Sequence, residues 1–223
     1  MSTQKPVPSP RRRGRPPKIN RGKVIEATMG LLEEAGPDEI SMADVAARLG
    51  IPVMSLYNHF PNTSELLQAV ADYTFGLFQL PDMCGERPWQ EELLTWLREL
   101  ARHCERYPVA LRIVSIEGRT TPAWQRIMTP LLRVLRSLEV REAQAALLLA
   151  WITSQAMGLI YIEDFAEPAR RLGPGPLDTV GDDRDWLAAL NRQLPRVRRE
   201  DVLELGFQSL VAGLEQYLEA ARK

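Results

Sequence analysis

Residues Ser41 to Phe60 restrict the fold more than any other stretch of the chain. Ser41 with Asp44 three positions on makes a capping-box start, with Asp in place of Glu or Gln, and predicts a helix that reaches Leu49. Gly50 follows, where a chain leaving a helix sharply needs a positive φ that glycine alone adopts without steric cost. Ile51-Pro52 completes the turn, and Pro52 suits the first turn of a second short helix, Val53 to Phe60. Val45, Leu49, Ile51 and Leu56 are apolar where the two helices must bury against each other, and Ala46 is small where they cross. Such a pair is a helix-turn-helix, in which the first helix braces and the second lies in the DNA major groove.

The flanking segments read as helices too. Asn20 caps a helix to about Ala35 with Val24, Ile25, Thr28, Leu31 and Leu32 on one face, and Gly36-Pro37 ends it. Pro61-Asn62-Thr63 breaks the chain before a helix from about Ser64 to Phe78. Longer helices are predicted over Trp89–Tyr107, Val109–Glu117, Pro122–Leu138 with a kink at Pro130, Arg141–Phe165 and Glu200–Arg222. A Pro/Gly/Asp-rich stretch, Glu167–Asp185, reads as a mobile connection, and the apolar piece Trp186–Leu194 as a short helix. No strand pattern occurs, so the fold class is all-α. From Ala143 to Ile162 there are twenty uncharged residues, a length that can span a bilayer. Gln144, Thr153, Ser154 and Gln155 interrupt that run, which reads instead as a helix covered by protein on nearly all sides.

Charge is distributed unevenly. The formal net charge is −1, yet residues 1–23 hold eight Lys and Arg and no acid, leaving −9 on the remaining 200 residues. A basic arm on an acidic body points to a polyanion held at one end. Within the arm, Arg13-Gly14-Arg15-Pro16 resembles the AT-hook core, an extended segment that places Arg in narrow A·T minor grooves. Two cysteines, Cys84 and Cys104, make no disulfide framework and fit a reducing, cytoplasmic compartment. Two histidines, His59 and His103, are too few for a histidine-based zinc cluster. No phosphate-binding Gly loop or nucleophile elbow occurs, so neither a metal, a cofactor nor an enzyme activity is expected.

Val24–Gly36, Ser41–Gly50 and Leu56-Tyr57-Asn58-His59-Phe60 followed by Glu65-Leu66-Leu67 resemble the N-terminal domain of TetR-family transcriptional regulators. The resemblance covers about residues 20–70; beyond them only length and helical character match. It implies phosphate contacts from Tyr57 and His59 and from the first helix at Arg21 and Lys23. The family's Lys after the His-Phe pair is Thr63 here, a weaker phosphate ligand. The exposed recognition positions are Val53, Met54, Ser55 and Asn58, none of them a guanine-reading Arg or Lys; Val53 and Met54 suit thymine methyl groups and Asn58 suits adenine. The implied organisation is an arm over 1–19, a DNA-binding domain over 20–66, and an effector-binding and dimerisation domain over 67–223.

For the body, the resemblance implies a dimer through the last two long helices. Ala146, Ala150, Ser154 and Gly158 at four-residue spacing, and Gly206, Ser209 and Gly213 on the last helix, are the small residues that such close helix contacts need. Trp96, Leu100, His103 and Tyr107 share one helix face, Trp124 and Met128 another, and Trp151 and Gln155 lie away from the small stripe. Aromatics with a few polar tips suit a pocket for an apolar or aromatic effector. The reading is a homodimeric regulator, a repressor released from a double-stranded DNA operator by a small molecule. The rival is an architectural protein that binds A·T-rich DNA without an effector, which footprinting separates by its broad protection.

Overall fold

The computed structural model describes residues 19–35, 40–82, 86–117, 121–165 and 183–221, and among these there are helices and no strand. The arm with Arg13 and Arg15, Cys84, and the connection over 166–182 lie outside the described residues.

Helix α1 (Arg21–Ala35) starts at Asn20, whose Oδ1 accepts the Lys23 N–H at 2.9 Å. Its buried side is Val24, Thr28 and Leu32, and the Thr28 hydroxyl satisfies itself on the Val24 carbonyl at 2.7 Å. The capping box forms on α2 (Met42–Leu49): the Ser41 N–H donates to Asp44 Oδ2 at 2.9 Å, and the Asp44 N–H donates to Ser41 Oγ at 3.3 Å. Gly50 has φ 65°, and N–H bonds from Gly50 to Ala47 and from Ile51 to Ala46 close the helix end as a Schellman motif.

Helix α3 is shorter than the sequence pattern suggests, Val53–Tyr57. Pro61 disfavours helical φ/ψ at Phe60. The chain therefore leaves as a bonded turn, with His59 and Phe60 N–H groups both on the Leu56 carbonyl. Asn62 then caps α4 (Thr63–Gly76), its Oδ1 accepting the Glu65 N–H at 2.8 Å.

The body comprises α5 (Trp89–Arg106), α6 (Pro108–Glu117), α7 (Pro122–Ile127), α8 (Thr129–Ser137), α9 (Glu142–Phe165), α10 (Arg184–Gln193) with a 3-10 turn over Leu194–Arg196, and α11 (Arg199–Ala221). The kink expected at Pro130 is a full break, because a proline in the first turn of α8 removes the N–H that would continue α7. Helix α4 packs on α1 and also on α6 and α7, so the boundary read at residue 66 falls inside a helix common to both regions. One hydrophobic cluster runs through both, from Val24 and Leu56 to Leu214 and Leu218.

Helix α9 departs from expectation. Its inner side, Leu148, Ile152, Ala156 and Ile160, is buried. It is long and apolar enough to cross a membrane by length and composition, yet only 22% of its most apolar stretch is buried in the subunit. Among the described residues, the helix is therefore not covered on nearly all sides. Leu147 (59% exposed) and Ile162 (62%) stand in the open.

Candidate nucleic-acid interface and effector region

Leu56 and Phe60, both fully buried, anchor the recognition element, and Val45 and Ala46 receive it. With those anchors fixed, Met54 points outward at 73% exposure, Tyr57 at 46%, and Asn58 is exposed just past the helix end. Ser55 is half-buried. Val53 is the exception among the positions expected to read bases: it is half-buried and packs against the core.

Arg21 does something that sequence spacing does not reveal. Its Nη1 donates to the His59 carbonyl at 2.5 Å, and its guanidinium lies 4.1 Å from the centre of the Phe60 ring. Hydrogen bond and cation–π contact together tie the start of α1 to the end of the helix-turn-helix. Arg48 is likewise held, donating to both Glu34 oxygens at 3.0 and 2.6 Å. That bond holds the Glu34 carboxyl below its ordinary range. No local signal marks either pairing; the partners are 38 and 14 residues away. Lys23 is exposed, His59 half-buried, and Thr63 half-buried as the first residue of α4.

The residues read as one effector pocket fall into three places. Trp96 and Leu100 are fully buried, and Trp96 uses its only donor on the Ile127 carbonyl at 2.9 Å, so both are core. His103, Tyr107 and Trp124 belong to an aromatic nest at the end of α4. The His103 ring is 5.0 Å from Tyr107, 5.2 Å from Phe78 and 6.2 Å from Phe75, and Trp124 is 5.4 Å from Phe75. Met128 is buried close by in sequence, at the break between α7 and α8. Phe75 and Phe78 were not foreseen; they sit in and just past an α4 whose apolar spacing reads as plain core.

His103 is 8% exposed and its Nε2 has no hydrogen-bond partner. Burial pushes its pKa below 6.5, opposed by a bond to the Thr74 backbone and reinforced by Arg106. A cleft of about 360 Å³ borders the nest, lined among others by Leu77, Phe78, Arg102, His103, Arg106 and Tyr107.

Trp151 and Gln155 lie elsewhere, lining a groove of about 320 Å³ between α9 and α11 with Leu159, Gly206, Ser209 and Leu210. The small stripe Ala146, Ala150, Ser154 and Gly158 is exposed along α9. On α11, Ser209 and Gly213 are exposed, but Gly206 is half-buried: a Cβ there would overlap the Leu159 side chain. Gly206 thus serves the α9–α11 crossing inside one subunit, whereas Gly213 faces open space.

One polar cluster joins three of the body helices. Arg199 holds Asp164 through its Nε at 2.9 Å and also through Nη2, with Glu105 at 3.7 Å, so α5, α9 and α11 meet at one guanidinium. Burial nevertheless raises the Asp164 carboxyl, whose Oδ2 has no partner. Burial also pushes the adjacent Cys104 thiol up to about 12, which leaves it inert at neutral pH. Among the described residues, no group of three or more His, Cys, Asp or Glu side chains converges to hold a metal.

Residues 24–70 match the family described as bacterial regulatory proteins, tetR family. The HTH-type transcriptional repressor DrrR1 of Streptomyces coeruleorubidus is 26% identical over 205 residues, covering 92% of this chain and 72% of that protein. A possible TetR-family transcriptional regulator from Streptomyces coelicolor A3(2) superposes with a TM-score of 0.73 at 23% identity, over 89% of this chain and 100% of that one. A TetR variant from Acinetobacter baumannii AYE in complex with minocycline gives 0.62 at 22% identity, over 90% and 99%.

Proposed function

We infer that this chain, a DNA-binding transcriptional regulator of the TetR family, works as a homodimeric repressor that a small effector releases from its operator. The observation that carries the reading is the helix-turn-helix itself. Buried Leu56 and Phe60 fix a short helix whose outward residues are Met54, Tyr57 and Asn58. In this reading Met54, Ser55 and Asn58 meet base edges, with Val53 behind them. Lys23, Tyr57, His59 and Thr63 meet phosphates, and Arg21 adds charge while holding the element's end. Arg13 and Arg15 reach the flanking minor groove. The similarity to a protein described as a repressor supports the direction of regulation.

A second copy covers the exposed side of α9 and α11. Repression then needs the two recognition helices about 34 Å apart, on successive major-groove faces. Helix α4 begins beside the recognition element and ends in the aromatic nest around His103, so a ligand lodged there biases the spacing. Release requires that the ligand bind the two states with different affinity. A protein of the same fold solved in complex with minocycline supports a small-molecule effector, apolar or aromatic, without naming it.

The test is selection of bound sites from random DNA by the full chain, followed by footprinting and by a thermal-shift screen of small aromatic compounds. The reading expects a discrete two-fold symmetric site, and a compound that both raises the melting temperature and releases that site. Broad protection of A·T-rich DNA instead would mark an architectural protein and refute the repressor.

A further inference from the structure

We propose that Met54 reads a thymine 5-methyl group, so that the chain recognises its site by apolar contact and not by a guanine-reading cation. The proposal rests on the assignment of α3 to the major groove and deepens it. Met54 is 73% exposed, the highest figure among the exposed large hydrophobic residues. Its direction is not a packing accident: Val53 before it packs inward, and Leu56 two residues on is fully buried. An outward thioether at a rigid position has a use where it meets an apolar surface.

The element offers no competing reader of guanine. From Ile51 to Thr63 there is no Lys or Arg. The arginines of α1 and α2, Arg21 and Arg48, are engaged, Arg48 by both Glu34 oxygens and Arg21 by the His59 carbonyl and the Phe60 ring. Bidentate Arg contact to guanine O6 and N7 is the commonest specific contact in the major groove, and this surface does not provide it. The thymine 5-methyl is the apolar feature of that groove. Methionine, unbranched and polarisable, adapts to such a contact. Asn58, exposed one turn further, complements it as an acceptor and donor for adenine N6 and N7. The same surface accepts 5-methylcytosine, which carries its methyl at the same edge position.

The experiment uses the full chain and the consensus duplex that it selects from random DNA. Each thymine is replaced singly by deoxyuridine, which removes only the methyl. Burying one such group contributes a factor of about four in affinity, so one position per half-site should lose about fourfold, and both together about fifteenfold. In Met54→Ala the same replacement should cost nothing. A C·G pair substituted at that position should bind several-fold better with 5-methylcytosine than with cytosine. Equal losses in wild type and Met54→Ala, or no loss at any thymine, overturn the proposal. A chain that selects a site but ignores the methyls overturns this readout alone. A chain that selects no discrete site overturns the regulatory reading and this readout with it.

Discussion

Two glycines on α11 face different surroundings, and that difference predicts opposite outcomes for the same substitution. At Gly213 a Cβ meets nothing within 4 Å, and the residue lines a groove of about 330 Å³ with Leu147, Leu148, Trp151, Leu214 and Tyr217. A side chain can start there without a clash in the isolated subunit, and replacing Gly by Leu improves helix propensity by about 0.5–1 kcal/mol. In the proposed two-fold dimer the partner would fill this groove, so the added side chain would overpack it. Overpacking costs about 1–3 kcal/mol per site, and isologous symmetry applies it twice, weakening the dimer by between about 30-fold and 10⁴-fold. At Gly206 the new side chain instead overlaps Leu159 within the subunit. Gly206→Leu should lower helicity and thermal stability of the subunit itself. Sedimentation equilibrium gives the dimer constant, and circular dichroism gives helicity. Gly213→Leu should remain helical and become monomeric at low micromolar concentration. A Gly213→Leu chain that stays dimeric within about threefold of wild type would refute the assignment of this face, since two overpacked sites cannot be accommodated so cheaply.

Four further outcomes rest on named side chains. Arg21→Ala removes the Phe60 cation–π contact and the bond to His59, so stability should fall by about 1 kcal/mol and DNA binding should weaken equally on unrelated duplexes, measured by urea unfolding and titration. His103 is held neutral by burial with its pKa below 6.5; its contribution is therefore fully present above 6.5 and is lost as pH falls below it. His103→Phe should flatten the loss of urea midpoint between about pH 7 and 5.5, and an unchanged slope would show that His103 does not titrate there. Arg199→Ala strands the buried Asp164 carboxylate and should cost about 3 kcal/mol in chemical unfolding, with Asp164→Asn in the same chain recovering part of it. Deleting residues 1–18 removes six positive charges per subunit, so the slope of log affinity against log salt should fall by about 0.9 for every phosphate that the arm neutralises; equal slopes would mean the arm does not touch DNA.

What was legible in the sequence was local. The Ser41 capping box, Gly50 in the left-handed region and the Asn20 and Asn62 caps are decided within four residues of themselves, and each forms in the structure. The placement of the residues expected to form one effector pocket was not legible for the converse reason. Trp96, Trp124 and Trp151 all sit at helical spacing with apolar neighbours, yet one is sealed core bonded to Ile127, one packs on Phe75, and one lines the α9–α11 groove. Amphipathic period tells which residues share a face, and the face's partner is a tertiary choice. Arg21 over Phe60 and Arg199 on Asp164 belong to the same class: long side chains whose partners are set by helix packing.

Helix α9 meets that limit in its strongest form. It is so uniformly apolar that no stripe distinguishes its inner side from its outer, which is why the sequence reads as a helix covered all round. The subunit buries the Leu148–Ile160 row and leaves Leu147 and Ile162 exposed beside the small residues. Large apolar surface in water is unfavourable at about 25 cal/mol per Å², so covering the outer row with something apolar stabilises the helix. The small residues Ala146, Ala150, Ser154 and Gly158 make that cover a closely approaching helix, for which a second α9 is the self-complementary candidate. Dimerisation then adds stability to a subunit that can also fold alone. The melting temperature should rise with protein concentration, and a monomeric variant such as Gly213→Leu should melt at a temperature independent of it.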